Sequence, residues 1–403
     1  MPAPLLLDLS HTCHSRARTG IQRVSRALRR ELGAAAQPVT YDPYARAWRP
    51  LAVWEEANLT VPGSAGRRGA RWPWSARALG WLTAARRGRR PPPMERLRPN
   101  GGLLVPEVFS PAVAAALPDL LAATEGPAVA IFHDAIALQQ PEFSPAGTVA
   151  RFPAYLLELL SFDGVAAVSE ASREALCAYW AWQGIRDHPP VVTIPLGVDV
   201  PAAAPGAASV EGLPEVLCVG SLEGRKNQLA LLAAAERLWR DGLAFRLRLM
   251  GIVQPATGAA AARRVSELQA AGFALVHETG AGDVAVAAAY AACAFTVYPS
   301  RVEGFGLPVL ESLAYGKPCV CAGRGALGET ARGGGCLALD DPGPEALAAG
   351  MRRLLTDASA LAALAAAARA RPIRRWAEHA ADLVAWQGGL ARRRRDRPPF
   401  RLP

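Results

Sequence analysis

The sequence predicts an α/β protein of two doubly wound parallel sheets that face each other across a cleft. Three observations predict it. Short apolar runs alternate with amphipathic helical stretches, and the alternation occurs twice along the chain. A Pro/Ala/Gly-rich piece at 201–207 separates the two series and reads as a linker. The length, 403 residues, suits two ordinary domains, each with enough chain to bury a core. The expected division is a first domain over 1–200, a second over 208–372, and a final helix with a basic tail over 373–403.

The first series opens with an apolar strand at 4–9, a polar loop at 10–19, and a helix that starts at Gly20 and runs to Leu32. Ile21, Val24, Leu28 and Leu32 share one face of that helix. A second strand is expected at 38–41, and an Arg/Trp/Pro-rich insertion then occupies about 48–100. Order resumes with a strand at 102–105, a helix near 111–123, and a strongly apolar strand at 128–132 with His133 and Asp134 at its carboxyl end. A helix at about 148–161, a strand at 164–168, a helix at 170–183 capped by Ser169, and a strand at 191–194 complete the series.

The second series begins with a strand at 216–219 that ends in Gly220-Ser-Leu-Glu-Gly-Arg225-Lys226-Asn227. A helix at 228–240, a strand at 245–250, a helix at 259–271, a strand at 273–276 and a helix at 281–292 follow. Then comes the most informative stretch, YPSRVEGFGLPVLESLAYGKPCVC at 298–321. An apolar strand at 294–298 runs into a loop loosened by Gly304 and Gly306. Pro308 stands where a helix tolerates a missing N–H, Gly316 with Pro318 ends that helix, and 319–322 restarts as strand. The loop thus lies at the carboxyl end of a strand, with a helix N-terminus aimed at whatever binds there. Such a terminus attracts anions, because its first N–H groups are unpaired and its dipole end is positive. Helices at 344–355, to about 370, and one striped by Trp376, Ala380, Leu383 and Val384 close the chain.

In sheets of this kind ligands bind at the carboxyl ends of the strands. Arg225 and Lys226 stand at one such end, and a guanidinium beside an ammonium suits a diphosphate. Glu303 and Glu311 flank the second anion-directed loop. A carboxylate accepts two hydroxyl hydrogen bonds, which is the chemistry of recognising a ribose or a hexose. Glu311 is therefore expected at a ribose and Glu303 at a sugar.

Composition narrows the classes. Half the residues are hydrophobic and a fifth charged, a globular balance, and no stretch reaches the roughly 20 apolar residues of a membrane span. No signal peptide is expected, since Asp8 interrupts the apolar run at 5–7. Seven cysteines are scattered without a CxxC pair, which suggests a reducing cytoplasm. His11-Thr-Cys13-His14 is metal-capable but lacks a second cluster, so a plain loop is the better reading and no metal site is expected. The net charge of +10 is uneven. Ten arginines against Glu95 give 67–98 a charge of +9, with Trp72, Trp74 and Trp81 interleaved, and six arginines against Asp396 give 392–401 a charge of +5. That pattern suits an anionic membrane surface, and equally a solvated Arg/Pro-rich insertion. No specific nucleic acid is expected, because no nucleic-acid-binding motif accompanies the charge.

Taken together, the motifs resemble the retaining, nucleotide-sugar-dependent glycosyltransferases of family four, which have the GT-B fold. The pieces that carry the resemblance are VGSLEGRKN at 219–227, the stretch from Tyr298 to Pro318, IFHD at 131–134, AVSEASREAL at 167–176 and IPLGVD at 194–199. TGIQRV at 19–24 is similar to a bacterial subset of mannosyl- and related transferases of surface polysaccharides. The resemblance implies that Arg225 and Lys226 hold the donor diphosphate, Glu311 the ribose, and Glu303 the donor sugar at the reacting face. It implies that backbone amides near Phe305, Gly306 and Leu307 support sugar and phosphate, that His133 touches the transferred sugar, and that Gly20 admits phosphates or acceptor. The last helix resembles one that crosses back to the first domain. No cofactor beyond a GDP- or UDP-sugar donor is implied. The implied partners are that donor and a lipid-linked or polysaccharide acceptor, at the cytoplasmic face of the membrane. Glu303 as a nucleophile is the rival mechanism. A GT-B protein that binds without turnover, and a sugar-nucleotide epimerase of the same fold, are the rival functions.

Overall fold

A computed structural model describes residues 3–15, 20–60, 71–88, 94, 97, 100–200 and 212–393. The expected linker at 201–207, most of the tail at 392–401, and much of the basic segment at 67–98 lie outside them.

The first sheet comprises β1 (Leu5–Asp8), β2 (Ala36–Asp42), β3 (Ala47–Pro50), β4 (Leu103–Val105), β5 (Ala128–Phe132), β6 (Gly164–Ala167) and β7 (Val191–Thr193). Its order is β3-β2-β1-β4-β5-β6-β7. Every neighbouring pair is parallel except the β2–β3 hairpin. Its helices are α1 (Gly20–Leu32), α2 (Val53–Thr60), α3 (Trp74–Arg87), α4 (Pro111–Ala123), α5 (Ile136–Gln139), α6 (Ala146–Glu158) and α7 (Glu170–Trp182). The second sheet comprises β8 (Glu215–Val219), β9 (Arg246–Met250), β10 (Leu275–Glu278), β11 (Phe295–Tyr298), β12 (Cys319–Ala322) and β13 (Cys336–Leu339). It is wholly parallel, in the order β10-β9-β8-β11-β12-β13. Around it lie α8 (Gln228–Arg240), α9 (Ala259–Ala270), α10 (Asp283–Ala292), α11 (Leu307–Ala314), α12 (Gly325–Ala331), α13 (Pro344–Thr356) and α14 (Ala358–Ala370), and α15 (Trp376–Gly388) ends the described fold.

Both sheets reverse strand order beside their first strand, between β1 and β4 and between β8 and β11. Parallel strands covered on both faces must be apolar throughout, and β5, β6, β11 and β12 are buried at every residue. A single apolar cluster runs from Leu7 and Val24 of the first domain through Leu310 and Leu313 to Trp376 and Leu383.

The α15 helix returns to the first domain. Val198 N–H donates to the Arg374 carbonyl at 3.0 Å, and the Gln387 amide donates to the Pro127 carbonyl at 2.7 Å. Gly197 and Gly164 make room for this crossing: an added Cβ would lie 2.3 Å from the Arg375 backbone and 2.6 Å from the Trp386 ring respectively.

The structure departs from the sequence expectations at three places. The segment expected as an insertion supplies β3, α2 and α3 within its described part. The α12 helix and the β13 strand were not anticipated. The expected strand at 273–276 is β10, two residues later in the chain. All seven cysteines are free. Among the described residues no helix is long and apolar enough to cross a membrane.

Candidate active site

Parallel strands end on one side of a sheet, so the loops after β8 and β11 are neighbours at the reversal point. Gly224–Lys226 forms a single tight turn after β8, and Asn227 holds a left-handed φ of 57° before α8 starts. The Asn227 amide fixes that turn by donating to the carbonyls of Pro299 and Pro342 at 3.2 and 2.8 Å. Arg225 and Lys226 then face the loop after β11.

There they meet Glu303. Arg225 Nη1 lies 2.7 Å from one carboxylate oxygen, and Lys226 Nζ lies 3.2 Å from the other. The Tyr298 hydroxyl donates to that second oxygen at 2.7 Å, and Lys226 Nζ donates to the Tyr298 oxygen at 2.7 Å. The second guanidinium nitrogen of Arg225 pairs with Glu223 at 2.8 Å. Burial alone would raise the Glu303 carboxyl, but Arg225, Lys226 and the Tyr298 hydroxyl outweigh it and hold the group down at about 2. Glu303 is thus a fixed anion that orients two cations.

Gly306 takes a φ of 103° to turn the chain into α11, and a Cβ there would meet Leu327 at 2.7 Å. Phe305, Gly306 and Leu307 therefore sit where expected, at the start of α11, with Pro308 as its second residue. One turn on, Glu311 is buried. Its Oε1 is paired with Arg23 of α1, and its Oε2 accepts from the Tyr290 hydroxyl at 3.2 Å. The residue expected at a ribose is therefore bound here by a cation from the other domain.

The first domain approaches closely. His133 is buried, and its Nε2 donates to the Pro106 carbonyl at 2.7 Å. Burial lowers its pKa, so the ring is neutral, and Nε2–H leaves Nδ1 as an acceptor. Burial raises the pKa of the adjacent Asp134, while Arg225 across the cleft pulls it down. A Cβ on Gly304 would lie 2.2 Å from the His133 carbonyl oxygen, so the loop after β11 touches the first domain through bare backbone. Gly20 is exposed at the start of α1, with nothing within 4 Å of an added Cβ. It is not drawn into this cluster.

Sequence reasoning brought Arg225, Lys226, Glu303 and His133 to one cleft but missed Arg23, Tyr290, Tyr298, Glu223 and Glu329. Arg23 lies inside TGIQRV, off the apolar face of its helix, and Tyr298 ends an apolar run, so neither stands out as a site residue in the sequence. Glu329 belongs to the unanticipated α12.

Among the described residues, one group could offer ligand atoms to a metal: Cys13, His14 and Glu55, within 4.8 Å of one another. Their atoms have protein partners. His14 bonds the Ser10 carbonyl at 2.7 Å and Glu55 at 2.8 Å, and Arg49 grips both Glu55 oxygens at 2.7 and 2.8 Å. His14 also stacks on Trp72, with centroids 4.1 Å apart. The group ties the β2–β3 region to the loop after β1.

Residues 203–371 match the family Glycosyl transferases group 1. Solved structures with the same architecture include sucrose-phosphate synthase from Thermosynechococcus elongatus, with a TM-score of 0.67 at 18% identity over 95% of this chain and 98% of that one. The Anabaena protein HepE in complex with UDP and glucose gives 0.66 at 16% identity over 96% and 100%. The two facing parallel sheets are thus the GT-B fold, and the match to the Glycosyl transferases group 1 model falls within the second domain.

Among proteins of assigned function it is similar to the serotype-specific mannosyltransferase WbdA of Escherichia coli, 28% identical over 76% of this chain and 37% of that protein. It is also similar to the O-antigen chain mannosyltransferase B of Escherichia coli, 28% identical over 58% of this chain and 62% of that protein. The chain spans about a third of the length of the WbdA proteins it matches.

Proposed function

We propose that the protein is a retaining hexosyltransferase that moves mannose or a similar sugar from a GDP- or UDP-sugar to a lipid-linked or polysaccharide acceptor in cell-surface glycan synthesis. The observation that carries this reading is the cation pair Arg225–Lys226, held by Glu303 at the reversal point of the second sheet beside the start of α11. The names of the similar mannosyltransferases support the choice of sugar and acceptor class.

The bond between the anomeric carbon and the diphosphate oxygen breaks, leaving negative charge on the diphosphate. Arg225, Lys226 and the positive end of α11 stabilise that charge, so the chemistry calls for no metal. The acceptor hydroxyl oxygen bonds to the anomeric carbon from the face the diphosphate leaves, and its proton passes to a diphosphate oxygen. Glu311 takes the ribose hydroxyls in place of Arg23, and the free Nδ1 of His133 accepts from a hydroxyl of the transferred sugar. Glu303 fixes the two cations and meets the sugar as an acceptor; with both its oxygens engaged, it is better suited to that role than to nucleophilic attack. Release of GDP or UDP in the presence of acceptor is the assay. Arg225→Ala and Lys226→Ala should each slow it by roughly 10²-fold. Near-normal turnover in both overturns the assignment.

The same reading places the protein at the inner membrane face. Gly80 lets α3 pack against Tyr44 and Ala45, with a Cβ only 2.7 Å from the Tyr44 side chain. The helix leaves Trp74, Leu79, Trp81 and Leu82 exposed, with Arg86 exposed beside them and Arg77 and Arg87 half-buried. Aromatic and aliphatic side chains next to arginines suit anionic headgroups. Sedimentation with phosphatidylglycerol vesicles should fall at least fivefold in a W74S/W81S variant, with neutral phosphatidylcholine vesicles left unbound by both proteins. Equal binding by variant and parent overturns the membrane reading.

A further inference from the structure

The amino-terminal end of α7 belongs to the first domain, yet the second domain supplies its partners. Glu329 of α12 accepts the Glu170 N–H on Oε2 at 2.9 Å and the Ala171 N–H on Oε1 at 2.8 Å. These are two of the N–H groups a helix cannot satisfy internally, and a carboxylate there also meets the positive end of the helix dipole. Beside it Ser169, the N-cap of α7, donates its hydroxyl to the Gly304 carbonyl at 2.7 Å. The Ser172 hydroxyl lies 2.9 Å from the His133 carbonyl and 3.3 Å from the Gly304 carbonyl. The next residue of α12, Thr330, has its hydroxyl 3.0 Å from the Phe305 carbonyl. One short helix therefore holds the loop that follows Glu303 and, through Glu329, the first-domain helix that grips the same loop.

We propose that Glu329 is a positioning residue that closes the cleft: its carboxylate caps α7 across the domain boundary and thereby sets His133 against the Glu303 loop. The inference rests on the glycosyltransferase reading for its effect on turnover, but not for its effect on structure. Arg225, Lys226, Glu303 and Glu311 all lie in the second domain, and Glu329 bonds to none of them. Loss of the cap leaves nucleotide binding intact and impairs the step that needs both domains. The backbone N–H groups at 170 and 171 lose their acceptor, and the Ser169–Gly304 contact loses its brace.

The test compares the full chain with Glu329→Ala, Glu329→Gln and Glu329→Asp. Hydrogen exchange of the peptide that contains residues 169–176 should quicken about tenfold in Glu329→Ala, less in Glu329→Gln, and least in Glu329→Asp, which keeps the charge. Calorimetric Kd values for GDP and UDP should stay within about twofold of the parent, while kcat of the alanine variant falls about tenfold or more. Unchanged exchange at 169–176 overturns the proposal. So does a nucleotide Kd that weakens in step with kcat, which marks general damage to the second domain. Faster exchange in the variants with no sugar transfer by the parent sinks the glycosyltransferase reading while the closing contact stands.

Discussion

Glu303 and Glu311 show what two identical side chains become in different company. Glu311 is buried and Glu303, eight residues before it, is half-buried. Glu303 faces Arg225 and Lys226 of its own domain and serves as their anchor. Glu311 faces a cation from the other domain, Arg23, and a phenol, Tyr290. A ribose that binds Glu311 has to displace Arg23, whose side chain is about a third exposed. Such a half-exposed ion pair contributes on the order of 1 kcal/mol, so Arg23→Ala should tighten the binding of guanosine or uridine about fivefold. Glu311→Gln in the same background should abolish the gain. Weaker nucleoside binding in Arg23→Ala would mean that Arg23 itself contacts the nucleoside. The anion-directed loops and the two glutamates were legible in the sequence because Gly, Pro and the surrounding apolar runs fix their backbone setting. Arg23 was not, because its partner lies 288 residues away and helix periodicity says only that it is off the apolar face.

At the scale of elements, legibility followed burial. Strands such as β5 and β11 are buried at every position and almost wholly apolar, so their runs stand out in the sequence. The α12 helix, GALGETA, has seven residues, two of them glycine, and starts with Gly325 at a left-handed φ of 56°. Two glycines and a threonine in so short a span offset the helix propensity of its alanines, leucine and glutamate. Tertiary contacts make it one: a Cβ on Gly328 would meet the Gly323 carbonyl oxygen at 2.2 Å, and Leu327 packs into the shared core. The α3 helix was obscured for a different reason. Ten arginines dominate the composition of 67–98 and suggest a solvated segment. Yet Gly80 against Tyr44, with Arg87 donating to the Ala45 carbonyl at 2.8 Å, docks the helix on the hairpin side of the sheet. Local composition records charge; it does not record neighbours contributed from 36 and 42 residues upstream.

At the scale of the whole molecule, α15 is what joins the two domains a second time, and its buried histidine makes that joint sensitive to acid. His379 is fully buried, and its Nδ1 donates to the Pro195 carbonyl at 3.0 Å. Its Nε2 has no partner among the described residues. A proton added there would be an unpaired charge in the core. Burial therefore lowers the pKa of the ring to about 4, and nearby Arg374 pushes the same way, against the smaller pulls of the Pro195 hydrogen bond and Asp382. The unfolded chain takes up that proton near the ordinary value of 6.5, so between pH 6.5 and 4 the unfolded state binds more protons than the folded one. Stability from this group is present above that window and declines as pH falls through it, by up to about 3 kcal/mol at the acid end. His379→Asn keeps a donor for Pro195 and removes the titration. The urea midpoint of the parent should drop more steeply from pH 7 to pH 4 than that of His379→Asn, with the two curves converging toward acid. Parallel curves across that range would place the acid sensitivity of the molecule outside this joint.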